Sequence, residues 1–344
     1  MRIGILTGGG DCPGLNATIR SIVRAAKTRH NAIVMGFLDS WDGVMERRFV
    51  DLELDAVRGI LPLGGTILGT RRGSPLDHEK GPELVADTIR DLGLDGLIVI
   101  GGDGSLTVAS LLYQQINLPV VGVPKTIDND VMRTDVTIGF NTAVQVATDS
   151  IDRLYTTAES HNRAAVVEVM GREAGWIAFH AGIAGGATSI LIPERRFHID
   201  EVAEHVARRH RRGRYASIVV VAEGARPVDG CMEMPTYARD AYGRERLGGV
   251  GAAIARALED RTQIETRLTT LGQVQRGGSP NATDRILATR FGLAAVESIA
   301  SGYFGTMVGL QHGTMVNVPL AEVAGVPRCV NLDLYGEISD VFFG

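Results

Sequence analysis

A lysine, a threonine and two aspartates lie close together where an apolar run of the chain ends. The sequence GVPKTIDND covers residues 122–130 and places Lys125, Thr126, Asp128 and Asp130 after the apolar residues. A carboxylate can take the proton of a hydroxyl group as that hydroxyl attacks phosphorus, and a lysine can stabilise the negative charge that develops on the phosphoryl oxygens. Asp128 is therefore the candidate base of a phosphoryl transfer. The alternative is an Asx-rich turn, in which Asp and Asn side chains bond their own backbone.

Three glycine-rich stretches predict binding sites for phosphate. They read TGGGDCPGLN at 7–16, GGTILGTRR at 64–72 and GGDGSL at 101–106. Glycine leaves backbone N–H groups accessible, and a helix N-terminus adds partial positive charge, so such stretches can hold a polyphosphate. Arg71 or Arg72 could add a charge-assisted hydrogen bond. The alternative for the first stretch is a tight strand-to-helix turn without a ligand, and the alternative for either arginine alone is a solvated surface side chain.

Asp103 is the candidate magnesium ligand. It is the carboxylate within GGDGSL, and Mg²⁺ is usually bound through one or two carboxylates together with substrate phosphates. The alternative is that Asp103 only caps the helix that follows it.

Arginines and one glutamate recur further along the chain, near EVMGREAGW (168–176), VVAEGA (220–225) and TRLTTLGQVQRGGSP (266–280). Each arginine alone is typical of a solvated surface. Together they favour an anionic, polyhydroxyl substrate, because arginines bind phosphate and a glutamate accepts hydrogen bonds from sugar hydroxyls. The residues concerned are Arg163, Arg172, Glu223, Arg267 and Arg276.

The elements that position these residues are short β-branched runs alternating with amphipathic runs. Helical periodicity is clearest at 15–27, 141–160 and 284–300. This alternation predicts an α/β fold with mainly parallel sheets covered on both faces, in which ligands lie beyond the carboxyl ends of the strands. We expect a domain boundary near 139–141. The predicted strands are 2–7, 32–37, 95–101, 119–124, 164–170, 188–193, 216–223 and 266–272.

Composition limits the classes of partner. The 344 residues are 44% hydrophobic, which fits two domains or one large α/β domain. Lys and Arg number 35 against 40 Asp and Glu, and the net charge of −5 argues against nucleic acid or an anionic membrane as a partner. Cys12, Cys231 and Cys329 are scattered and predict reduced thiols. Since no leader-like or membrane-spanning run is apparent, we expect a soluble, cytoplasmic protein.

The motifs GGGDCPGLN, GGTILGT, GGDGS, PKTIDND, VEVMGR, AEGA and QRGGSP, in this order, resemble those of the 6-phosphofructokinases. The resemblance covers nearly the whole chain and is greatest to the actinobacterial branch. It implies transfer of a phosphoryl group from ATP or pyrophosphate to the 1-hydroxyl of fructose 6-phosphate. It also implies two similar three-layer α/β/α domains. The phosphoryl-donor domain would comprise 1–139 and 276–302, and the sugar-phosphate domain 140–275 and 303–344.

The family pattern implies a role for individual residues. Asp128 is the implied base, Asp103 holds Mg²⁺, and Asp130 and Lys125 support the site. Thr126 contacts the transferred phosphoryl group, and Arg172 stabilises it. Trp41 matches an aromatic position that lies against adenine. The donor-binding positions are Gly10, Trp41, Arg71, Arg72, Gly102, Asp103, Gly104 and Ser105. The substrate-binding positions are Thr126, Asp128, Arg163, Met170, Gly171, Arg172, Glu223, Arg267, Gln273 and Arg276.

The resemblance also implies an assembly. In related enzymes the arginines that match Arg163 and Arg267 reach in from a neighbouring subunit. Each active site would then be shared, and the protein would be a homo-oligomer, namely a tetramer.

The chain departs from the family pattern in ways that bear on the substrates. Gln273 stands where bacterial ATP enzymes usually carry a histidine, and glutamine cannot become cationic. Lys125 resembles the pyrophosphate-dependent relatives, whereas Gly104 does not, because those relatives have an acidic residue there. A carboxylate at that position would repel the α-phosphate of a nucleotide, and glycine leaves room for it. We therefore expect ATP as the donor, with pyrophosphate as the alternative.

Arg20 and Arg24 match cations of the allosteric site of bacterial relatives, but Leu54, Asp55 and Tyr155 depart from its pattern, so we expect no ADP or phosphoenolpyruvate control.

A dinucleotide-dependent oxidoreductase lacks support because GxGxxG is absent. A catalytically silent nucleotide-binding subunit would need a defect in the site, for which Gln273 is the only candidate, because Asp128, Asp103, Thr126 and Arg172 are all present.

Overall fold

The computed structural model describes residues 1–234, 238–239 and 247–343, and the chain divides into two compact units. Unit 1 comprises Met1–Thr142 and Arg276–Pro327, and unit 2 comprises Ala143–Gln275 and Arg328–Gly344. The expected division differs at 303–327, which we assigned to the sugar-phosphate domain. This segment belongs to unit 1 because its two strands extend the sheet of that unit. Gly344 lies outside the described residues.

Within the described residues, unit 1 is built on an eight-stranded sheet in the order β12-β11-β5-β4-β1-β2-β3, with β6 paired to the end of β5. Numbered in chain order, its strands are β1 (Arg2–Thr7), β2 (Ile33–Phe37), β3 (Phe49–Asp51), β4 (Gly96–Gly101), β5 (Val120–Thr126), β6 (Ile138–Gly139), β11 (Thr306–Gln311) and β12 (Thr314–Pro319). The β2–β3 and β11–β12 pairs are antiparallel, and the other pairs are parallel. Parallel strands buried on both faces need not alternate, and every residue of β4 is indeed buried.

Helices cover this sheet and bring the glycine-rich loops to its edge. They are α1 (Leu15–His30), α2 (Trp41–Met45), α3 (Gly81–Asp91), α4 (Asp103–Ile116) and α9 (Ala282–Ala300). Helices α1 and α9 pack against each other. Gly292 permits their close approach, since a Cβ there would lie 2.6 Å from Cβ of Ser21. The first and third glycine-rich loops therefore lead from a strand into a helix, from β1 into α1 and from β4 into α4, whereas the second, 64–72, lies in irregular chain between β3 and α3.

Unit 2 has its own parallel sheet. As far as the chain is described, it contains four strands in the order β10-β7-β9-β8. The strands are β7 (Ala164–Val169), β8 (Ser189–Leu191), β9 (Ser217–Ala222) and β10 (Thr266–Thr270). The helices are α5 (Phe140–His161), which begins in the last residues of the first segment of unit 1, α6 (Trp176–Ala184), α7 (Ile199–Arg211), α8 (Val250–Thr262) and α10 (Leu332–Phe342).

The predicted α/β class with mainly parallel sheets is confirmed, and each predicted strand corresponds to a strand of the structure. Strands β3, β6, β11 and β12 were not predicted. In the described part of the chain, no helix has both the length and the apolar character that a membrane span requires.

Candidate active site

The segment that follows β5 is closed by its own hydrogen bonds. The backbone N–H of Asp128 donates to Oγ1 of Thr126 at 3.1 Å, and Oγ1 of Thr137 donates to the carbonyl of Thr126 at 2.7 Å. The backbone N–H of Thr137 donates to Oδ1 of Asn129 at 3.0 Å. The candidate base Asp128 therefore lies within a turn. The side-chain hydrogen bonds of this turn fix the backbone conformation at Asp128. Asn129 makes the kind of side-chain bond to backbone that the Asx-turn alternative predicted, whereas Thr137 was not predicted.

Lys125 joins this segment to the first glycine-rich loop. Its side chain is 2% exposed, and its ammonium donates to the carbonyls of Gly8 at 2.9 Å and Gly10 at 2.6 Å. Burial lowers the pKa of Lys125, and the guanidinium of Arg276 acts in the same direction. The carbonyl acceptors favour the protonated amine, which burial disfavours, and they fix the position of this amine at the edge of the sheet.

The first two glycine-rich loops are also bonded to each other. Oγ1 of Thr70 donates to the carbonyl of Gly9 at 2.7 Å, and Oγ1 of Thr7 donates to the carbonyl of Gly69 at 2.7 Å. Arg276 lies against the first loop, since a Cβ on Gly10 would meet its guanidinium nitrogen at 2.7 Å. The loops thus form one preorganised surface that carries glycine backbone and cationic side chains.

The third glycine-rich loop leads into α4 and approaches Thr126 at the end of β5. A Cβ on Gly102 would lie 3.5 Å from Cβ of Thr126, whereas a Cβ on Gly104 would meet nothing within 4 Å. Ser105 packs its hydroxyl against Gly8, where an added Cβ would lie 2.5 Å away. Gly104 therefore faces open space, and Gly102 and Ser105 lie in close contact with neighbouring loops.

Asp103 is the candidate metal ligand of this loop. It is the first residue of α4, and its Oδ1 accepts a hydrogen bond from the backbone N–H of Gly325 at 3.2 Å. Among the described residues, no group of three or more His, Cys, Asp or Glu side chains is arranged to hold a metal. This donor set fits Mg²⁺ bound by one carboxylate and mainly by the phosphates of a donor, rather than a metal caged by protein.

The predicted adenine contact by Trp41 is wrong for this structure. The indole is 1% exposed and belongs to the hydrophobic core of unit 1, so it presents no ring face to a ligand. The preceding residues Asp39 and Ser40 have φ angles of 56° and 67°, and this unusual turn leads into α2 with the indole directed into the core.

Arg71 is exposed and lies 3.6 Å from a carboxylate oxygen of Asp42.

In unit 2, the loops after β7 and β9 interlock. The backbone N–H of Glu223 donates to the carbonyl of Val169 at 2.9 Å, and that of Gly224 donates to the carbonyl of Gly171 at 3.0 Å. Gly171 has a φ of 140°, which favours glycine. A Cβ on Gly224 would lie 1.9 Å from the carbonyl oxygen of Arg172. The structure thus brings Met170, Gly171 and Arg172 close to Glu223 along the backbone, and their part in a sugar-phosphate site stays a prediction.

Gln273 lies in the helical turn Gly272–Gln275 and is exposed. The neighbouring Gln275, which the sequence analysis did not select, is fully buried and bonds this turn to β7. Its Oε1 accepts from the backbone N–H of Met170 at 3.4 Å, and its Nε2 donates to the carbonyl of Gly272 at 2.9 Å.

Arg163 and Arg267 lie at the other end of the unit 2 sheet. Arg163 precedes β7, whereas Met170 follows it, and the strand between them spans roughly 20 Å at ~3.3 Å per residue. Glu265, which the sequence analysis also missed, holds both arginines. It accepts from Nε of Arg163 at 2.6 Å and from the guanidinium of Arg267, and the hydrogen bond from Arg163 is the main cause that lowers the pKa of Glu265. Within unit 2, these arginines are not part of the cluster around Met170.

The residues that match the allosteric site are divided between the units. Arg20 and Arg24 lie on α1 of unit 1, and Tyr155 lies on α5 within unit 2, where its hydroxyl accepts from Arg209 at 3.5 Å.

Comparisons with known proteins agree on one family. The family model described as Phosphofructokinase matches residues 2–299. The chain is 53% identical, over the full length of both chains, to a pyrophosphate–fructose 6-phosphate 1-phosphotransferase of Streptomyces coelicolor. It is 52% identical, over 98% of both chains, to ATP-dependent 6-phosphofructokinase 3 of the same organism. Among solved structures, Pichia pastoris phosphofructokinase matches with a TM-score of 0.82 and 33% identity over 94% of this chain. The match spans only 35% of that yeast chain.

Proposed function

The chain belongs to the phosphofructokinase family, and from this premise we propose that it transfers the γ-phosphoryl group of ATP to fructose 6-phosphate. The acceptor is the 1-hydroxyl group, and the products are fructose 1,6-bisphosphate and ADP, as in glycolysis. The observation that carries the choice of ATP is the open space beside Gly104, where an added Cβ would meet nothing within 4 Å.

The proposed base is Asp128. It takes the proton of the 1-hydroxyl as that oxygen forms a bond to the γ-phosphorus, and the bond from this phosphorus to the β–γ bridging oxygen breaks, so that ADP leaves. The hydrogen bonds around Thr126, Asn129 and Thr137 support this role, because they hold the backbone of the base in one conformation. Such orientation is a large part of catalysis in phosphoryl transfer.

Cationic groups are proposed to stabilise the charge that develops on the transferred group. Lys125, which is bonded to the first glycine-rich loop, supplies positive charge there, Thr126 contacts the phosphoryl group, and Arg172 stabilises it. Asp130 supports the arrangement. Mg²⁺, when bound through Asp103 and the donor phosphates, would neutralise charge on those phosphates.

The donor and the sugar phosphate are proposed to use different residues. The polyphosphate is bound by the three glycine-rich loops, through Gly10, Gly102, Gly104 and Ser105, and by Arg71 and Arg72. Fructose 6-phosphate is bound by the cluster of Met170, Gly171, Arg172 and Glu223, with Gln273 and Arg276. Support for the second set is the interlocked pair of loops after β7 and β9, in which the backbone of Glu223 and Gly224 is bonded to that of Val169 and Gly171.

We further propose that Arg163 and Arg267 act in the site of a neighbouring subunit of a homotetramer. Their separation from Met170 along β7 supports this proposal, because within one subunit they face a different end of the sheet. Glu265 holds both guanidinium groups at that end.

Pyrophosphate is the second candidate donor. Lys125 favours it, since this lysine resembles those of the pyrophosphate-dependent relatives and adds a cation near phosphate. Sequence identity does not decide between the donors, because it is 53% to a relative named for pyrophosphate and 52% to a relative named for ATP.

The test is the initial rate with fructose 6-phosphate and Mg²⁺, with ATP and pyrophosphate given separately to one preparation. Activity with ATP alone would support the argument from Gly104. Activity with pyrophosphate alone would refute it and assign the choice of donor to Lys125. No transfer from either donor would refute the proposed function.

A further inference from the structure

Asp284 is a buried carboxylate that has no direct part in the proposed reaction. It lies in the first turn of α9 and is 0% exposed. Its Oδ1 accepts from the backbone N–H of Gly139 at 3.1 Å, and its Oδ2 accepts from the backbone N–H of Thr142 at 2.7 Å and from the hydroxyl of Thr142 at 2.5 Å. Burial raises the pKa of Asp284, and the bonds from Thr142 and Gly139 oppose that rise. A carboxylate held in this way fixes the groups that donate to it.

Those donors are Gly139, the last residue of β6, and Thr142 in the first turn of α5. The N–H groups of the first helical turn have no acceptor within their own helix, and negative charge near them is favourable. Asp284 provides this charge from a position 142 residues further along the chain than Thr142. The N-terminus of α5 is thus anchored by a residue of α9.

The segment that is anchored carries the proposed base. Gly139 lies opposite Thr126 where β6 pairs with β5, and Thr137 donates to the carbonyl of Thr126. The segment from Thr126 to Gly139, which includes Asp128, therefore has one end in β5 and the other end on the carboxylate of Asp284.

The same carboxylate is connected to the loop that carries Arg276. Asn281 caps α9 by accepting from the backbone N–H of Asp284 at 2.9 Å, and the backbone N–H of Asn281 donates to Oγ1 of Thr142 at 3.0 Å. The hydroxyl of Thr142 thus accepts from Asn281 and donates to Asp284. The loop that begins at Arg276 ends in this cluster, and Arg276 itself lies against Gly10 of the first glycine-rich loop.

We propose that Asp284 is a positioning residue for the transfer reaction, which holds the segment of Asp128 and the loop of Arg276 in a fixed mutual arrangement. This inference rests on the proposed function, because it assigns the effect to the placement of Asp128. A purely structural Asp284 would contribute to stability without changing the rate of transfer in the folded enzyme.

The first variant is Asp284→Asn, which keeps the size of the side chain but places an amide N–H group against a backbone N–H donor. We expect the single-turnover rate and kcat to fall by about 10-fold to 100-fold, since a small misplacement of reacting groups has effects of this size. The KM for fructose 6-phosphate should also rise, by about threefold to 10-fold, because Asp284 holds the loop of Arg276, a proposed contact of this substrate.

A second set of variants decides the matter even if Asp284→Asn does not fold. Thr142→Val removes the hydroxyl between Asp284 and Asn281, and Thr142→Ser retains it. Thr88→Val is the matched control, because the hydroxyl of Thr88 is also buried in unit 1 and donates to the carbonyls of Val44 at 2.8 Å and Leu84 at 2.9 Å. We expect Thr142→Val to lower kcat, Thr142→Ser to restore it, and Thr88→Val to leave it unchanged at a similar loss of thermal stability.

Each outcome has a separate meaning. Wild-type kcat in folded Asp284→Asn, or in Thr142→Val, would overturn the positioning role. An equal loss of kcat in Thr88→Val would overturn it as well, because the effect would then be general loosening of unit 1. A wild-type chain without transfer activity would instead refute the proposed function on which the inference rests.

Discussion

The ammonium of Lys125 lies 2.6 Å from the carbonyl oxygen of Gly10, a residue 115 positions earlier in the chain. This bond connects the end of β5 with the loop after β1, across β4, which lies between these two strands in the sheet. Lys125 therefore has a structural partner whichever phosphate donor is bound. The presence of Lys125 is therefore weaker evidence for pyrophosphate as the phosphoryl donor than the resemblance to the pyrophosphate-dependent relatives implies.

Replacement of this lysine should affect both stability and donor binding. Lys125→Met keeps much of the side-chain volume but leaves the buried carbonyls of Gly8 and Gly10 without their donor, so we expect a loss of about 1–3 kcal/mol in the free energy of unfolding. The KM for the donor should rise, since the loop is no longer held. Denaturant unfolding and steady-state kinetics measure the two effects. Lys80→Met, at an exposed position, is the control, and an equal effect of both variants would contradict the role of the carbonyl contacts.

Gly104 offers a direct test of donor choice. In Gly104→Asp a carboxylate would enter the open space and repel a nucleotide phosphate, at a cost of about 3 kcal/mol, which lowers kcat/KM for ATP about 100-fold. Gly104→Ala should be close to wild type, because its Cβ meets nothing within 4 Å. The comparison is kcat/KM for ATP in the two variants. Equal values for Asp and Ala would show that no nucleotide phosphate passes this position.

Sharing of active sites between subunits can be tested by complementation. Asp128→Ser removes the proposed base, with an expected loss in kcat of about 100-fold to 10,000-fold. Arg163→Ala should chiefly raise the KM for fructose 6-phosphate. If Arg163 acts in the site of a neighbour, mixed oligomers of the two variants contain some sites with both residues intact. We then expect more activity, at low sugar phosphate, from oligomers dissociated and reassembled together than from the variants reassembled separately. Equal activity would contradict shared sites.

The cysteines should differ in reactivity according to burial. Burial raises the pKa of Cys12 to about 12, so its thiol stays protonated at pH 8, and it is 0% exposed. Cys329 is exposed. An aromatic disulfide reagent should label Cys329 quickly in the native protein and Cys12 only in denaturant, and Cys329→Ser should remove the fast phase.

Because the folded pKa of Cys12 is raised, its contribution to stability is present below the unfolded value near 9.0 and is lost as the pH rises toward 12. Rapid labelling of native Cys12 would contradict its burial.

The sequence predicted the loops of the site better than the contacts within it. Strands such as β4 and β5 are continuous apolar runs, and the residues that follow them must lie at one edge of a parallel sheet. The roles of Glu265 and Asp284 depend on partners that only the folded chain brings near. Trp41 was placed wrongly because local sequence did not reveal the positive φ angles at Asp39 and Ser40 that lead into α2.

Strands β11 and β12 were missed although their turn carries a signal. His312 and Gly313 both have positive φ, as in the tight turns that favour glycine in hairpins. The sequence could not predict that these two strands belong to unit 1. Strand β11 pairs with β5, and the whole first segment of unit 2 lies between these strands in the chain.

That pairing also has a consequence during synthesis. Thr306 of β11 lies opposite Val121 of β5, so β5 is synthesised well before the strand that pairs with it. Synthesis of the residues between these two positions takes roughly 10–40 s at about 5–20 residues per second. In this interval one side of β5 is an open strand edge, which is a template for pairing with other chains. The nascent chain is therefore most exposed to aggregation after β5 has emerged and before the hairpin of β11 and β12 arrives.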